Sequence, residues 1–435
     1  MDTVSPLEPP IPSTGSCLKR RRVAMVMFST YPADPRPRRA VETLLKHGMS
    51  VDLVCLQDEY ARKRETLGRF DVVRVPLTHK RGGKLSYGYK YLAFVLISGI
   101  ILALRSLKRR YDLVYIHNMP DILVASAIVP KVLGAKVILD QHDPMPELMT
   151  TIFGLDNQSL SVRLLTWLER WSIGRADLVI TVNAACKRLF SSRSCSAKKI
   201  AVIMNSPDEA IFPFRAVQPS VFATQSPPKH FVMMYHGSLV ERNGLDLAIK
   251  ALANVRATIP NTELRIYGRE TPFLRNVMRE AWGNGLAEHV TYLGPRSLES
   301  LVRDIEVCDV GLIPNHRSAF AEINTPTRIF EYLALGKPVI APRAPGISDY
   351  FDDHSMILFE LGNAQDLADK MEYVFTHPAE VSSTVRRGQD VYREHCWRTE
   401  RQRLIDEVEN LLAGAIRAGS TDHLRQTAQG AAGRS

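Results

Sequence analysis

Between Asn324 and Pro342 the chain reads NTPTRIFEYLALGKPVIAP, with Thr327 and Glu331 four residues apart. On a helix that spacing sets both on one face, a turn apart. The unpaired amides and positive dipole end at a helix start suit a phosphate. Glu331, one turn deeper, stands where it can accept hydrogen bonds from a ribose diol. These residues make half of a nucleotide site. The helix is written into the same segment: Thr325 reads as the N-cap and Pro326 as the first helical residue. Ile329, Phe330, Leu333 and Ala334 form its apolar face, Gly336 stops it, and Pro338 opens a buried strand.

Three further clusters fall just after apolar runs. In YHGSLVERNGLD a strand ends at Tyr235, a turn carries Gly237 and Ser238, and Arg242, Asn243 and Gly244 precede a new helix. Such a turn brings backbone N–H groups to a phosphate, with Arg242 as a forked donor, or it is an ordinary turn bearing a surface arginine. Near the N-terminus, Asp34, Arg36 and Arg38 follow the first strand in YPADPRPRR. They hold an anionic acceptor, or they form a solvated helix start capped by Asp34. His117 ends the run LVYI, and His142, Asp143 and Glu147 follow VILDQ. A parallel doubly wound sheet presents that edge to ligand.

The elements that must position these residues form two series. Apolar runs at 23–28, 51–56, 72–75, 113–116, 137–139, 178–182 and 200–204 alternate with helical stretches near 38–47, 91–104, 121–133 and 161–173. A second series of strands runs at 231–235, 264–267, 290–293, 310–313 and 339–341. Continuous rather than alternating apolar strands imply parallel sheets covered on both faces. The fold class is α/β, with two Rossmann-like doubly wound domains facing across a cleft. The domains are 20–206 and 230–398, joined by a Pro/Ser/Gln linker at 207–229. An amphipathic helix follows at 399–418, and 1–19 and 419–435 read as disordered.

Composition bounds the class. The 435 residues exceed one typical core, and 45% apolar with 23% charged content is that of a soluble globular chain. Six scattered cysteines without a CxxC pair argue against a disulfide framework or zinc site and fit a cytoplasmic location. The N-terminus lacks the apolar core of a signal peptide. Of the net charge of +10, much lies between Arg62 and Arg110, where thirteen Lys/Arg face two acids. The apolar run 91–104 inside it is shorter than the roughly 20 residues of a spanning helix. Two readings stand: a buried helix with a basic end, or a monotopic surface in peripheral contact with anionic membrane. Nucleic acid is not the expected partner, because the basic residues are not interleaved with stacking aromatics. No DxD, GxxxxGK[ST], GxGxxG after strand one or GxSxG is present, so no metal ligand set, dinucleotide cofactor or serine hydrolase centre is expected.

Taken together, YPADPRPRRAVETLLKHG, HNMPD, LDQHDPMPE, YHGSLVERNGLD, DVGLIPN and TPTRIFEYLALGKPVIA resemble, in order and spacing, the family-4 retaining glycosyltransferases of the GT-B fold, from about Arg22 to Leu412. The resemblance implies transfer of a hexose-type sugar from a nucleotide-diphosphate donor, with retained configuration and no obligatory metal or cofactor. The expected acceptor is a glycan or lipid-linked molecule, which would suit the basic, apolar patch of the first domain, and the expected setting is cell-surface polysaccharide biosynthesis. It assigns Glu331 to the ribose, Arg242 and Asn243 to the diphosphate, His142 to the donor sugar and acceptor, and Gly294 to Arg296 to the base. Three departures stand out. The family's two glutamates are separated by seven residues, and counting back from Glu331 reaches Ile323, with Glu322 one place too far. DPRPRR replaces a glycine-rich first loop, and Asn243 stands where a lysine is usual. The phosphate contact then falls to Arg242 or Arg328. Alternatives on the same architecture are a nucleotide-sugar 2-epimerase and a non-catalytic nucleotide-sugar-binding relative.

Overall fold

Consecutive apolar residues at 23–27 become the centre of β1 (Arg22–Thr30), buried on both sides. Around it lie β2 (Ser50–Leu56), β3 (Arg64–Leu67), β4 (Phe70–Val75), β5 (Leu113–His117), β6 (Lys136–Gln141), β7 (Leu178–Thr181) and β8 (Ile200–Val202). They pair in the order β3-β4-β2-β1-β5-β6-β7-β8, parallel throughout except for β3 against β4. The second domain holds β9 (Phe231–His236), β10 (Thr262–Tyr267), β11 (Val290–Gly294), β12 (Val310–Leu312), β13 (Val339–Arg343) and β14 (Ile357–Glu360). Their order, β11-β10-β9-β12-β13-β14, is the doubly wound one. The computed structural model describes residues 17–58, 61–77, 84–156, 158–217, 230–259 and 261–432.

Each sheet reverses its winding beside its first strand, between β1 and β5 and between β9 and β12. Connections there leave toward opposite faces, so a crevice opens at the strands' carboxyl ends. The loops after β1, β5, β6 and β9 therefore converge on it.

The first sheet has two cores. One face is covered by the helix Pro35–Lys46 and by Trp397, Leu404, Ile405, Val408 and Leu412 of the long C-terminal helix, which packs back on the first domain. The other face is covered by the helices Lys84–Lys108, Leu160–Arg175 and Ala184–Arg193 with the 3-10 turn Asp121–Ala127.

Several boundaries differ from expectation. The helix near 91–104 runs over Lys84–Lys108, and 121–133 divides into the 3-10 turn and Ile128–Val132. Of the stretch read as a disordered N-terminus, 1–16 lies outside the described residues, while Leu18 is fully buried in the first core. Of the linker reading, 218–229 lies outside them; before it, Arg215 N–H donates to Ala334 O and Phe212 enters the second core. The C-terminal helix Trp397–Ala432 continues through most of the segment read as a disordered tail, which contains no proline to stop it.

Candidate active site

Glu331 sits on the helix Thr327–Ala334, and its Oε2 lies 2.6 Å from Nε2 of His236, the last residue of β9. Backbone direction settles the proton. The Tyr332 hydroxyl donates to Met234 O at 3.0 Å, so it accepts from His236 Nδ1–H at 3.1 Å. Neutral His236 then has a bare Nε2, and Glu331 is the donor to it. The electrostatics agree: burial, opposed by Arg328 and Arg39, raises the Glu331 carboxyl to about 7. Burial and the Arg328 charge push His236 down to about 3. Sequence reasoning ended the strand at Tyr235 and missed His236; the only signal was a histidine directly before the Gly237 turn.

One proton on this pair has a consequence for stability. Ordinary values are 4.5 for Glu and 6.5 for His. Between those pH values the folded pair carries one proton, on Glu331, and the unfolded pair carries one, on His236. The pair's contribution is therefore flat in that window. In Glu331→Gln the folded state carries none, while unfolded His236 still protonates below 6.5, so stability falls as pH falls. The variant is expected to lose about 2–3 kcal/mol relative to the parent between pH 7.5 and 5, at about 1.4 kcal/mol per unit. Urea unfolding of both proteins at the two pH values checks this; parallel pH profiles would contradict the shared proton.

Arg328, beside the start of the same helix, donates Nη1–H to His236 O at 2.6 Å and lies over the Tyr235 ring at 4.9 Å. Gly237 has φ +122°, and a Cβ there would meet Arg328 Cδ at 3.4 Å. Glycine is thus needed both for the turn and for the arginine's passage. Asn243 Nδ2 donates to Ser238 O at 2.8 Å, so Asn243 closes the turn and leaves Ser238 exposed. Gly244 has φ +69°, and a Cβ there would lie 1.8 Å from Pro314 O. Arg242, on the 3-10 turn between them, is half-buried; burial lowers its pKa and the facing charge of Asp143 opposes this. The charges of Arg242 and Asp143 thus act on each other across the domain boundary.

On the first domain the organising residue is Asp140, at the end of β6 and 1% exposed. Arg36 meets its carboxylate through Nε at 3.0 Å and Nη2 at 2.8 Å, and Tyr115 Oη donates to it at 3.1 Å. His117 Nδ1 lies 3.3 Å away and His142 Nδ1 3.8 Å away. Burial, which would raise the Asp140 carboxyl, is outweighed by Arg36 and the two imidazoles, and it stays well below the usual range. Burial pushes His117 down, with Asp140 only partly opposing. For His142 burial is outweighed by Asp140 and Asp143, and it is held above its ordinary value. His142 turns Nδ1 inward and keeps Nε2 as its outward nitrogen. Asn118 fixes the loop: its Oδ1 accepts from His142 N at 3.1 Å and its Nδ2 donates to Asp143 O at 2.7 Å.

Several expectations are corrected. Arg36 is not an acceptor-side cation, because it is buried against Asp140 and donates to Ile203 O. Arg38 pairs with Glu42 at 3.8 Å on its own helix. Asp34 is at the N-cap position, yet its carboxylate accepts from Ser29 Oγ at 2.8 Å rather than from a helix amide. His117 is 1% exposed and lies behind His142 rather than in the cleft. Thr325 does not cap the helix, which starts at Thr327 with Pro326 as N-cap. Its hydroxyl accepts from Asn183 Nδ2 at 2.9 Å and donates to Gly346 O at 2.5 Å. The Thr327 hydroxyl accepts from Asn205 Nδ2 at 3.0 Å. Arg296 is turned to Asp304 and Leu293 O, beside the positive-φ Gly294, and offers no free guanidinium. Glu322 pairs with Arg317, while Ile323 packs on the first domain's core.

Asn183 also donates to Ile323 O at 2.8 Å, Ala184 N–H to Tyr350 Oη at 2.8 Å, and Arg188 to Asp349 at 2.8 Å. These contacts close one side of the cleft. His117, Asp140 and His142 group closely enough to hold a cation. The Asp140 carboxylate already carries Arg36 and Tyr115, however, so a cation there would sit against a buried guanidinium.

Residues 33–206 match the Glycosyl transferase 4-like domain family, and residues 218–390 match the Glycosyl transferases group 1 family. A GDP-mannose-dependent alpha-(1-6)-phosphatidylinositol monomannoside mannosyltransferase of Mycolicibacterium smegmatis is 34% identical over 110 residues, 25% of this chain and 28% of that protein. A D-inositol 3-phosphate glycosyltransferase of Pseudarthrobacter chlorophenolicus is 23% identical over 283 residues, 62% of this chain and 64% of that protein. The match thus spans less than two thirds of either relative's length. Sucrose-phosphate synthase of Thermosynechococcus elongatus superimposes with TM-score 0.71 at 17% identity, covering 91% of this chain and 100% of that one. Anabaena HepE in complex with UDP-glucose does so with TM-score 0.63 at 17% identity, covering 89% and 98%. With both halves matched in order and the two-sheet architecture shared, the chain belongs to the family-4 glycosyltransferases of the GT-B fold.

Proposed function

We propose that this chain is a retaining glycosyltransferase. It moves a hexose-type sugar from a nucleotide-diphosphate donor to a hydroxyl of a glycan or lipid-linked acceptor, in cell-surface polysaccharide assembly. One observation carries the reading. Arg328, the Gly237–Ser238 turn and the amide-bearing start of the Thr327–Ala334 helix meet at the end of β9. His142 and Asp143 stand opposite, just past the end of β6, with the charge of Asp143 felt by Arg242. A nucleotide-sugar donor is the ligand class in the name of the Mycolicibacterium relative and in the HepE complex.

In this reading Glu331 binds the ribose hydroxyls, and the diphosphate rests on the turn and helix amides with Arg328 and Arg242. The bond from the sugar's anomeric carbon to the phosphate oxygen breaks, and these donors take up the charge left on the diphosphate. The acceptor oxygen attacks the same face, giving retention, and its proton passes to the departing phosphate oxygen. His142 Nε2 orients a sugar or acceptor hydroxyl. With Ile323 against the first domain and Glu322 turned to Arg317, no carboxylate is assigned as nucleophile. Two guanidiniums and a helix start supply the counter-charge, so the scheme invokes no metal.

A panel of nucleoside diphosphates tests the binding half. At 100 times its dissociation constant the right one should stabilise the protein by about 2.7 kcal/mol. Arg242→Ala is expected to lower kcat about 100-fold with an unchanged melting temperature. Normal turnover in that variant would move the phosphate role elsewhere. Sugar epimerisation in assays lacking acceptor would instead favour the 2-epimerase reading.

A further inference from the structure

Three helices of one layer leave apolar side chains uncovered. On Lys84–Lys108, Leu92, Leu96, Ile100 and Leu104 recur every four residues and are 54–59% exposed. The short helix Ile128–Val132 packs beside it and exposes Val132 at 83%. Trp167 of Leu160–Arg175 is 57% exposed, between exposed Arg163 and Arg170 on the same helical face. These elements cover one face of the first sheet, opposite the C-terminal helix, so their outer sides form one surface.

The long helix also revises the expectation from 91–104. Gly88–Lys108 is long and apolar enough to cross a bilayer by length and composition, with mean hydropathy 1.7 and 28% of it buried. It does not have the surroundings of a spanning helix. Phe94, Val95, Ser98, Leu102 and Ser106 are buried within the domain along its inner side. An apolar outer stripe on a helix fastened lengthwise to a folded domain belongs in a membrane–water interface. Exposed Lys108, Arg109 and Arg110 follow the stripe at one end, and exposed Tyr89 marks the other. Cations and amphipathic aromatics at the rim are the complement of an anionic headgroup layer.

We propose that this helical layer is a monotopic docking surface for an anionic lipid bilayer. The surface lies on the domain that carries His142, so docking holds that half of the cleft at the membrane. The proposal does not depend on the glycosyltransferase reading, and its test needs no activity. The full chain should co-sediment with vesicles of phosphatidylcholine and phosphatidylglycerol at 7:3, and at least five-fold less with phosphatidylcholine alone. Leu96→Glu with Ile100→Glu, both at exposed positions, should cut binding to the mixed vesicles at least ten-fold with unchanged circular dichroism and melting. Arg109→Glu with Arg110→Glu should remove the preference for anionic vesicles. Undiminished binding by the Leu96/Ile100 variant, or no sedimentation of the parent, would overturn the proposal. So would a parental dimer in light scattering that this variant splits while vesicle binding is absent, since the stripe would then be covered by a second copy.

Discussion

Arg328→Ala is expected to lower kcat by about 100- to 1,000-fold while the protein stays folded. The side chain makes one hydrogen bond, to His236 O, and a ring contact with Tyr235. Removing a hydrogen bond of that kind costs about 0.5–1.5 kcal/mol of stability. Among the described residues no ion pair within contact distance neutralises the guanidinium, and it lies at the Gly237 turn where a diphosphate would rest. Removing one preorganised donor from developing charge costs about 2.7–4 kcal/mol of barrier. The catalytic loss therefore exceeds the structural one. Steady-state kinetics with a melting curve checks it: a fall in melting temperature without a fall in kcat would make Arg328 a structural residue. Arg328→Lys should recover only part of the rate, because a point charge replaces a fork.

The second large effect is on stability. Asp140→Ala leaves the Arg36 guanidinium, with a side chain 10% exposed, buried without its carboxylate. Stranding one partner of a buried pair costs about 3–5 kcal/mol. For a domain of this size that lowers melting by roughly 6–20 °C. The two imidazoles facing Asp140 also lose their orienting charge. Adding Arg36→Met to the Asp140 variant should restore much of the stability, since the orphaned charge is gone. Activity should not return with it, because His142 stays unoriented. Equal melting of the single and double variants would show that the pair is not the source of the loss.

The two examples also show what the sequence made legible. Apart from β3 and β14, continuous apolar runs placed the strands to within one or two residues, because burial on both faces of a parallel sheet leaves a one-dimensional signal. The helix that carries Glu331 was legible because a helix start, one acid and a helix stop lie within a dozen residues. Arg36 was misread as a cleft cation because its partners lie 104 and 167 residues away, at Asp140 and Ile203. Thr325 looked like a cap because local rules favour threonine there. The cap geometry was overridden by Asn183, 142 residues distant. His236 escaped notice because its importance comes from Tyr332 and Glu331 folding over it, which no local pattern announces. The edge strand β3, at the sheet's one antiparallel pairing, was missed because it is short and mostly exposed.

The account stands on a diphosphate resting at the start of the Thr327–Ala334 helix beside Arg328. Calorimetry of a nucleoside diphosphate and its monophosphate, with parent and Arg328→Ala, measures that contact directly. The parent should bind the diphosphate at least ten-fold tighter than the monophosphate, about 1.4 kcal/mol, and the variant should lose that increment while its monophosphate affinity is nearly unchanged. An increment that survives in Arg328→Ala would put the second phosphate elsewhere and contradict the site as drawn.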